Sequence, residues 1–433
     1  MTERFLRYGA YALLQLAFVA AAQAQAGPTA TLAALQDSAE AHDPRTRQTL
    51  LLARQSELRR RSLAGELLPA VALEAQAQYQ SDVARVPLPG APSPPHDTYD
   101  ARVLLTQRLF DPSLAARRNL ERAQLAYSQA TLRSTLYATR QQVNDAFFGA
   151  LRAQVQGDEL RAGIAAIEAQ VDVAAARVRE GAALPSEELV LRAEVLRRRQ
   201  LVAEAGIQLG AALGILGNLT GVVIDSSTRL VLPALEEEMQ QARTAEAGRF
   251  AASRPEYAQF ERSRVVLQEQ DRLRVSQDRP RASAFGRAGY GQPGLNPLND
   301  TFDSYWLAGL QVQWALGLWG ASLRDREVLA AQREIIATEE AAFTEQLRRA
   351  ALQDRSTVDR LEAAVRLDDE IIAAREQIAE ETRIRFGEAA VTSAEFVERQ
   401  SQLLSARLTR ALHRVELAQA RARLLTTLGI ELR

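Results

Sequence analysis

The sequence predicts a mainly α-helical fold with β-strands, built twice, in which each half joins a pair of short strands to a long helical hairpin. Three observations carry that expectation. Apolar residues recur every three or four positions through long proline-free stretches, they alternate with polar residues in four short stretches, and the arrangement returns after about 207 residues.

Composition narrows the chemistry first. With no cysteine, two methionines and three histidines in 433 residues, a disulfide scaffold, a thiolate metal site and a cysteine nucleophile are excluded. The 53 basic and 54 acidic residues nearly cancel, so there is no chain-wide positive field for nucleic acid. Aromatic residues make up 6%, and alanine, leucine, arginine, glutamate and glutamine dominate, which favours long helices over compact cores. Every basic residue is arginine, as in a chain coded by a GC-rich genome.

Residues 1–26 carry Arg4 and Arg7, then an apolar run from Tyr8 to Ala22, then small-residue triplets ending at Ala24 and Ala26. That order reads as a cleavable secretory signal. No later stretch has the ~18 consecutive apolar residues of a membrane-spanning helix, so a membrane crossing after export has to be made by strands. Without a cysteine, lipoprotein acylation is impossible.

The first repeat occupies residues 27–218. A helix over about 31–65 leads into a strand pair over about 69–110, where Val71, Leu73, Ala75, Ala77 and Tyr79 alternate with Glu74, Gln76 and Gln78. Its partner alternates from Tyr99 through Val103 and Leu105 to Leu109, across a proline-rich loop spanning Pro87 to Pro95. A helical hairpin over about 113–218 follows. Its seam steps through Leu160, Ile164, Ile167, Val171, Ala174 and Val178. Each long helix would extend about 100 Å at 1.5 Å per residue.

Residues 219–233 form the linker, and the second repeat fills 234–433. It has a helix over about 234–278, a strand pair over about 281–316 and a helical hairpin over about 321–430, with a stripe at Ala364, Leu367, Ile371, Ala374 and Ile378. Arg177-Val-Arg-Glu-Gly181 aligns with Arg383-Ile-Arg-Phe-Gly387, and Leu184 to Val190 with Val391 to Val397, which makes Glu188 and Glu395 equivalent. Gly181 with Pro185, and Gly387, break the rods and let the chain reverse. Ser186 and Ser393, each followed by acids, would cap the returning helices.

Trp306 and Trp314 share one face, about 26 Å apart along a strand, close to the ~25 Å apolar band of outer-membrane barrels. Tyr79, Tyr99, Phe110 and Tyr290 complete a candidate membrane girdle. An antiparallel sheet packed on one side within a soluble domain would show the same alternation. Four strands cannot close a barrel in lipid, where open edges leave backbone groups unpaired, so a membrane reading requires several copies.

With those elements in place, the chain resembles the TolC family of outer-membrane efflux channels. Gln107-Arg-Leu-Phe-Asp111 is similar to the family's strand-to-helix junction; Gln313-Trp-Ala-Leu316 is a weaker copy that continues into Gly317 and Leu318. The resemblance implies a homotrimer with a twelve-stranded barrel in the outer membrane of a Gram-negative bacterium and a helical tunnel through the periplasm. Implied partners are a periplasmic adaptor, an inner-membrane ABC or RND-type pump and outer-membrane lipid, with no cofactor. The adaptor would meet the tips: Arg177, Arg179, Gly181, Leu184, Pro185 and Ser186, then Arg383, Arg385, Gly387, Val391, Thr392 and Ser393. Family members close this end with side-chain rings, for which Glu187, Glu188, Glu395 and Glu398 are the candidates.

Gly289-Tyr-Gly-Gln-Pro-Gly294 fits a dinucleotide fingerprint in letters only, because no helix is predicted after it. His42, His96 and His413 are scattered, and no Walker loop or nucleophile elbow is present, so no enzyme is predicted. The function implied is passive efflux of small molecules. A type I protein secretion channel shares the architecture, and a periplasmic coiled-coil adaptor or structural protein would share the rods.

Overall fold

The computed structural model describes residues 29–83, 94–244, 253–296, 301–315 and 319–432. The signal segment, most of the proline-rich loop, and Gly317 with Leu318 lie outside them. In chain order the elements are β1 (Thr29–Ala30), α1 (Leu32–His42), a 3₁₀ turn (Pro44–Arg47), α2 (Gln48–Gly65), β2 (Ala70–Tyr79) and β3 (Asp97–Phe110). Then come α3 (Pro112–Arg179), α4 (Pro185–Thr220), β4 (Arg229–Leu230), α5 (Glu236–Thr244) and α6 (Pro255–Gln277). The chain finishes with β5 (Arg281–Gln292), β6 (Asp303–Gln313), α7 (Trp319–Gly387) and α8 (Ser393–Leu428).

Two compact units cut across the duplication instead of following it. One takes the described residues up to Thr46, Arg133–Pro255 and Ala342–Arg433; the other takes Arg47–Leu132 and Glu256–Ala341. The helix expected over 31–65 is divided, because Pro44 lacks an N–H and holds Asp43 extended at ψ 122°. The linker contains a strand too short to read from alternation, β4, which pairs in parallel with β1.

In the first unit, Leu32, Leu35 and Ala39 of α1 close over Phe147, Phe148 and Leu151 of α3, Leu213 and Leu216 of α4, and Leu424 and Leu425 of α8. A polar thread crosses this core. The Gln36 amide donates to Asn144 Oδ1 at 2.5 Å, and Asn144 Nδ2 donates to Thr426 Oγ1 at 3.2 Å. Such a thread fixes register, since slippage would strand buried donors.

The first predicted seam is buried: Leu160, Ile164, Ile167 and Ala174 all face inward. The second is not. Leu367, Ile371, Ala374 and Ile378 are exposed, and the buried side of α7 runs through Leu347, Asp354, Val358, Leu361, Asp368, Ala379, Thr382 and Phe386. Hydrophobicity alone picked the wrong face because the true seam carries polar residues with partners. Thr427 Oγ1 donates to Asp354 at 2.9 Å, His413 Nδ1 meets Asp368 at 2.6 Å, and Thr382 Oγ1 donates to the Ile378 carbonyl at 2.8 Å. On α4 an 18-residue window of mean hydropathy 1.3 is long and apolar enough, by composition, to cross a membrane. Ala205, Leu213 and Leu216 turn inward from that charge-poor part of the helix, while Ile207 and Ile215 stay exposed.

Burial pushes the Asp354 carboxyl above its usual range, against the opposing bond from Thr427 and the charge of Arg423. An acid whose folded pKa is raised disfavours the folded state once ionised, so its penalty is complete above the folded pKa and absent below the unfolded one. Asp354→Asn is therefore expected to raise the melting temperature at neutral pH, with the gain shrinking as pH falls toward the ordinary aspartate range. Thermal unfolding at both pH values checks this; a gain independent of pH would exclude the desolvation account.

The second unit contains an antiparallel sheet in the order β2-β3-β5-β6. The strand pairs of the two repeats adjoin through β3 and β5, while β2 and β6 have no further partner strand among the described residues.

Candidate functional site

Register gathers most of the apolar positions on one face. Leu73, Val103, Ala288 and Trp306 form one row across the four strands, and Val71, Leu105, Gly286 and Ala308 form the next. A bulge between Arg108 and Phe110 inserts Leu109 and pairs Phe110 with Ala282, which brings Phe110 onto this same face despite its even number. The face is open: Leu73 is 81% exposed, Trp306 75% and Leu310 76%. Tyr79, Tyr99, Tyr290 and Trp306 lie toward the turn end, with Phe110 and Trp314 at the helix end, and all six are exposed. Phe302, which sequence reading missed, stacks against Tyr290 at 5.5 Å and Tyr99 at 6.2 Å.

The opposite face carries the charged residues. Arg102 donates to Glu74 at 2.8 Å and to Asp100 at 2.9 Å, and the Tyr305 hydroxyl donates to Asp100 at 2.5 Å. Glycines make room for rings here. A Cβ at Gly289 would lie 2.8 Å from the Tyr305 ring, and one at Gly309 would lie 2.9 Å from Phe285. Gly289 and Gly291 thus serve a strand, and no helix follows them before β6 among the described residues.

Where strand becomes helix, the Asp111 carboxylate accepts the Ser113 N–H at 2.9 Å and its hydroxyl at 2.6 Å, with Pro112 pre-set for the first turn. Glu66, at the end of α2, pairs with Arg117 at 3.0 Å and with Arg108. The weaker copy of the junction is supported from the equivalent place, the end of α6: the Asp278 carbonyl accepts Trp314 Nε1 at 3.0 Å and its carboxylate accepts the Ser322 hydroxyl.

The helical tips belong to the first unit. Gly181 has φ +70°, and its turn is closed by Ala182 N–H to the Arg177 carbonyl at 2.8 Å. The second turn repeats this with Ala390 N–H to the Arg385 carbonyl at 2.8 Å, and its left-handed residue is Ala389, φ +60°. The repeats are therefore related here by an offset of 208. The left-handed caps Gly221 and Gly429 keep the same offset.

This corrects the sequence alignment. Gly387 is the last residue of α7 and answers Arg179; Arg177 is matched by Arg385, and Glu187, not Glu188, by Glu395. The expected serine caps are also displaced by one or two residues. Leu184 begins α4 with no side-chain cap, Thr392 caps α8 by accepting the Glu395 N–H at 3.2 Å, and the Ser393 hydroxyl is buried without a hydrogen bond. A Cβ in the left-handed region costs about 1–2 kcal/mol. Ala389→Gly should thus raise stability by about 1 kcal/mol in urea unfolding, and an unchanged midpoint would count against strain at this turn.

The two tips are tied crosswise. Arg177 donates to the Phe386 carbonyl at 2.7 Å and to that of Gly387, with its guanidinium 5.3 Å from the Phe386 ring centre. In return, the Glu187 carboxylate accepts the Ser393 N–H at 2.6 Å. Phe386 stacks on Phe396 at 5.0 Å beneath them. A cleft of about 250 Å³ remains, lined by Arg177, Leu184, Glu187, Phe386, Val391 and Thr392 among others. Arg179, Gly181, Pro185 and Ser186 are exposed beside it. Arg383 and Arg385 are paired with Glu380 and Glu381, each at 2.6 Å. Of the remaining acids, Glu188 pairs with Arg192, Glu398 accepts from Gln402 at 2.6 Å, and Glu395 is exposed.

Above the tips sits a buried ion pair that periodicity alone could not reveal. Arg198 is 1% exposed and donates to Glu194 at 2.6 Å, to the Gly163 carbonyl at 2.9 Å and to Ser401 at 3.1 Å. Burial pushes the Glu194 carboxyl up, and bonds from Arg197 and Arg198 more than reverse this, leaving it below the usual range.

No family model matches the chain, and no curated protein matches it in sequence. Solved structures do match in three dimensions. The outer-membrane channel OprN is similar with a TM-score of 0.66 at 16% identity, over 92% of this chain and 89% of that one. The open-state outer membrane channel MtrE of Neisseria gonorrhoeae gives 0.66 at 15%, over 93% and 89%. The outer membrane protein VceC of Vibrio cholerae gives 0.63 at 13%, over 93% and 97%. Nearly the whole of this chain, from strand pairs to helical tips, thus has the fold of these outer-membrane channel proteins.

Proposed function

We propose that the chain is the outer-membrane channel of a tripartite export system, conducting substrates passively from an inner-membrane pump and a periplasmic adaptor. The observation that carries this reading is the open apolar face, continuous across four strands whose outer edges lack partner strands among the described residues. Lipid is the solvent such a face needs, and edge pairing with further copies is what lipid demands. Four strands from each of three copies give a barrel of about twelve. The exposed stripes Leu367, Ile371 and Ile378 of α7, and Leu196, Ile207 and Ile215 of α4, are the surfaces that neighbouring copies would cover.

In this reading the polar sheet face lines water, and transport needs no chemistry from the chain. Flow follows the gradient the pump creates. The tip cleft, with small side chains at Ala182, Ala183, Ala389 and Ala390, is where the adaptor's backbone would approach closely. Glu187, Glu188, Glu395 and Glu398 are the proposed closing acids, with Glu395 and Glu398 exposed to passing cations. Efflux of small molecules is favoured over protein secretion by the family resemblance.

Purified protein added to a planar bilayer should give discrete conductance steps, and chemical cross-linking should stop at three copies. A monomer that never conducts would sink the proposal. Neutralising Glu188 and Glu395 together should weaken cation preference; an unchanged preference would remove the gate assignment alone.

A further inference from the structure

The water-facing side of the sheet is not uniformly polar. Toward the turn end its rows hold Gln76, Asp100 and Asp303, then Glu74, Arg102 and Tyr305. The next row reads Ala72, Leu104, Arg287 and Leu307, and the one after it Ala70, Thr106, Phe285 and Gly309. Two adjacent rows therefore form an apolar belt of Leu104, Leu307 and Phe285, with the phenyl ring laid over Gly309. Acids border the belt on the turn side.

One cation is set into that belt. The other arginines of this face are matched: Arg102 by Glu74 and Asp100, Arg108 by Glu66, and Arg281 by Asp111 at 3.8 Å. Arg287 has no carboxylate partner among the described residues, and its Nε is shut off from solvent without a hydrogen bond. Glu74 and Asp100, on the same face, are already held by Arg102 and Tyr305. A guanidinium partly desolvated among leucines is left in deficit unless an anion reaches it.

We infer that Leu104, Leu307, Phe285 and Arg287 form a cargo subsite for amphiphilic organic anions, molecules with an apolar body and one carboxylate or sulfonate. The inference rests on the channel reading, which makes this face the lumen wall. Each part of the ligand has its counterpart: the apolar body covers the leucines and the phenyl ring, and the anionic head takes the free donors of Arg287. Copies of the chain around one pore would repeat the subsite, so a solute could pass between equivalent sites without a deep trap. The acids on the turn side disfavour prolonged residence further along and favour release.

Single-channel recording of the reconstituted protein tests this, with naphthalene-2-sulfonate as the probe. Expected are brief, concentration-dependent interruptions of current that methanesulfonate, lacking the body, and 1-naphthylmethylammonium, with the opposite charge, do not produce. Arg287→Gln should need about tenfold more probe for half-block, the equivalent of one charge-assisted bond. Arg287→Lys should retain most of the block, and Leu104→Gln should weaken it. Should Arg287→Gln fail to assemble, Leu104→Gln decides the matter. Equal block in both variants and wild type, or equal block by the ammonium probe, overturns the subsite and leaves the channel standing. A protein that forms no pores at all overturns both.

Discussion

On the channel reading, Leu310→Arg is expected to remove most of the protein from the outer membrane, whereas Gln311→Arg, one residue along, should leave it there. Leu310 stands mid-strand in β6 on the open apolar face, paired with Ala284, and Gln311 points to the other side, paired with Ser283. An arginine at the lipid midplane costs about 2–4 kcal/mol, and every copy in the assembly would bear it. On the wetted side the same substitution costs close to nothing. Fractionation followed by heat-modifiable migration on gels reads the difference. Equal recovery of the two variants would show that the sidedness assigned to the sheet is wrong.

The second large effect lies near the helical tips. Glu194→Ala leaves the Arg198 guanidinium buried with only the Gly163 carbonyl and Ser401 as partners. Removing one member of a buried pair costs about 3–5 kcal/mol, since the remaining charge stays desolvated. Arg197→Ala removes a partner that is mostly exposed, and should cost less than about 1 kcal/mol. Relief by shifting Arg198 is blocked on one side: Gly163 is already so close that a Cβ there would lie 2.9 Å from Nη1. Because the folded carboxyl sits below its usual range, its contribution is present above the unfolded glutamate pKa and disappears as pH falls through the folded value. Urea unfolding of the two variants measures the gap, and similar midpoints would mean that Glu194 is not what compensates Arg198.

Much of this architecture was legible in the residues. Period-two alternation found the four long strands, because apolar and polar residues take alternate positions along most of each, and proline-free periodicity found the rods. The errors have specific causes. The α7 stripe was placed on the exposed side because Asp354, Asp368 and Thr382, buried with partners, look like surface residues in a hydrophobicity count. The tips were misaligned by two residues because glycine was taken as the marker of reversal, while the second turn uses Ala389 at φ +60°. Hydrogen bonds define the turn, and letters do not. β1 and β4 were invisible at two residues each. The bonds of Arg198 and Glu194 to Ser401 and the crosswise ties of Arg177 and Glu187 join segments some 200 positions apart, which no local pattern encodes.

The margins of β2 and β6, without a partner strand among the described residues, also set an order of events. A single copy in water would offer both a sticky flank and a broad oily surface to any collision, so newly made chains are in a race between correct partnering and clumping. Refolding yield should therefore drop with protein concentration unless an amphiphile shields the sheet, and a channel subunit would need an escort until its companions and a bilayer are within reach.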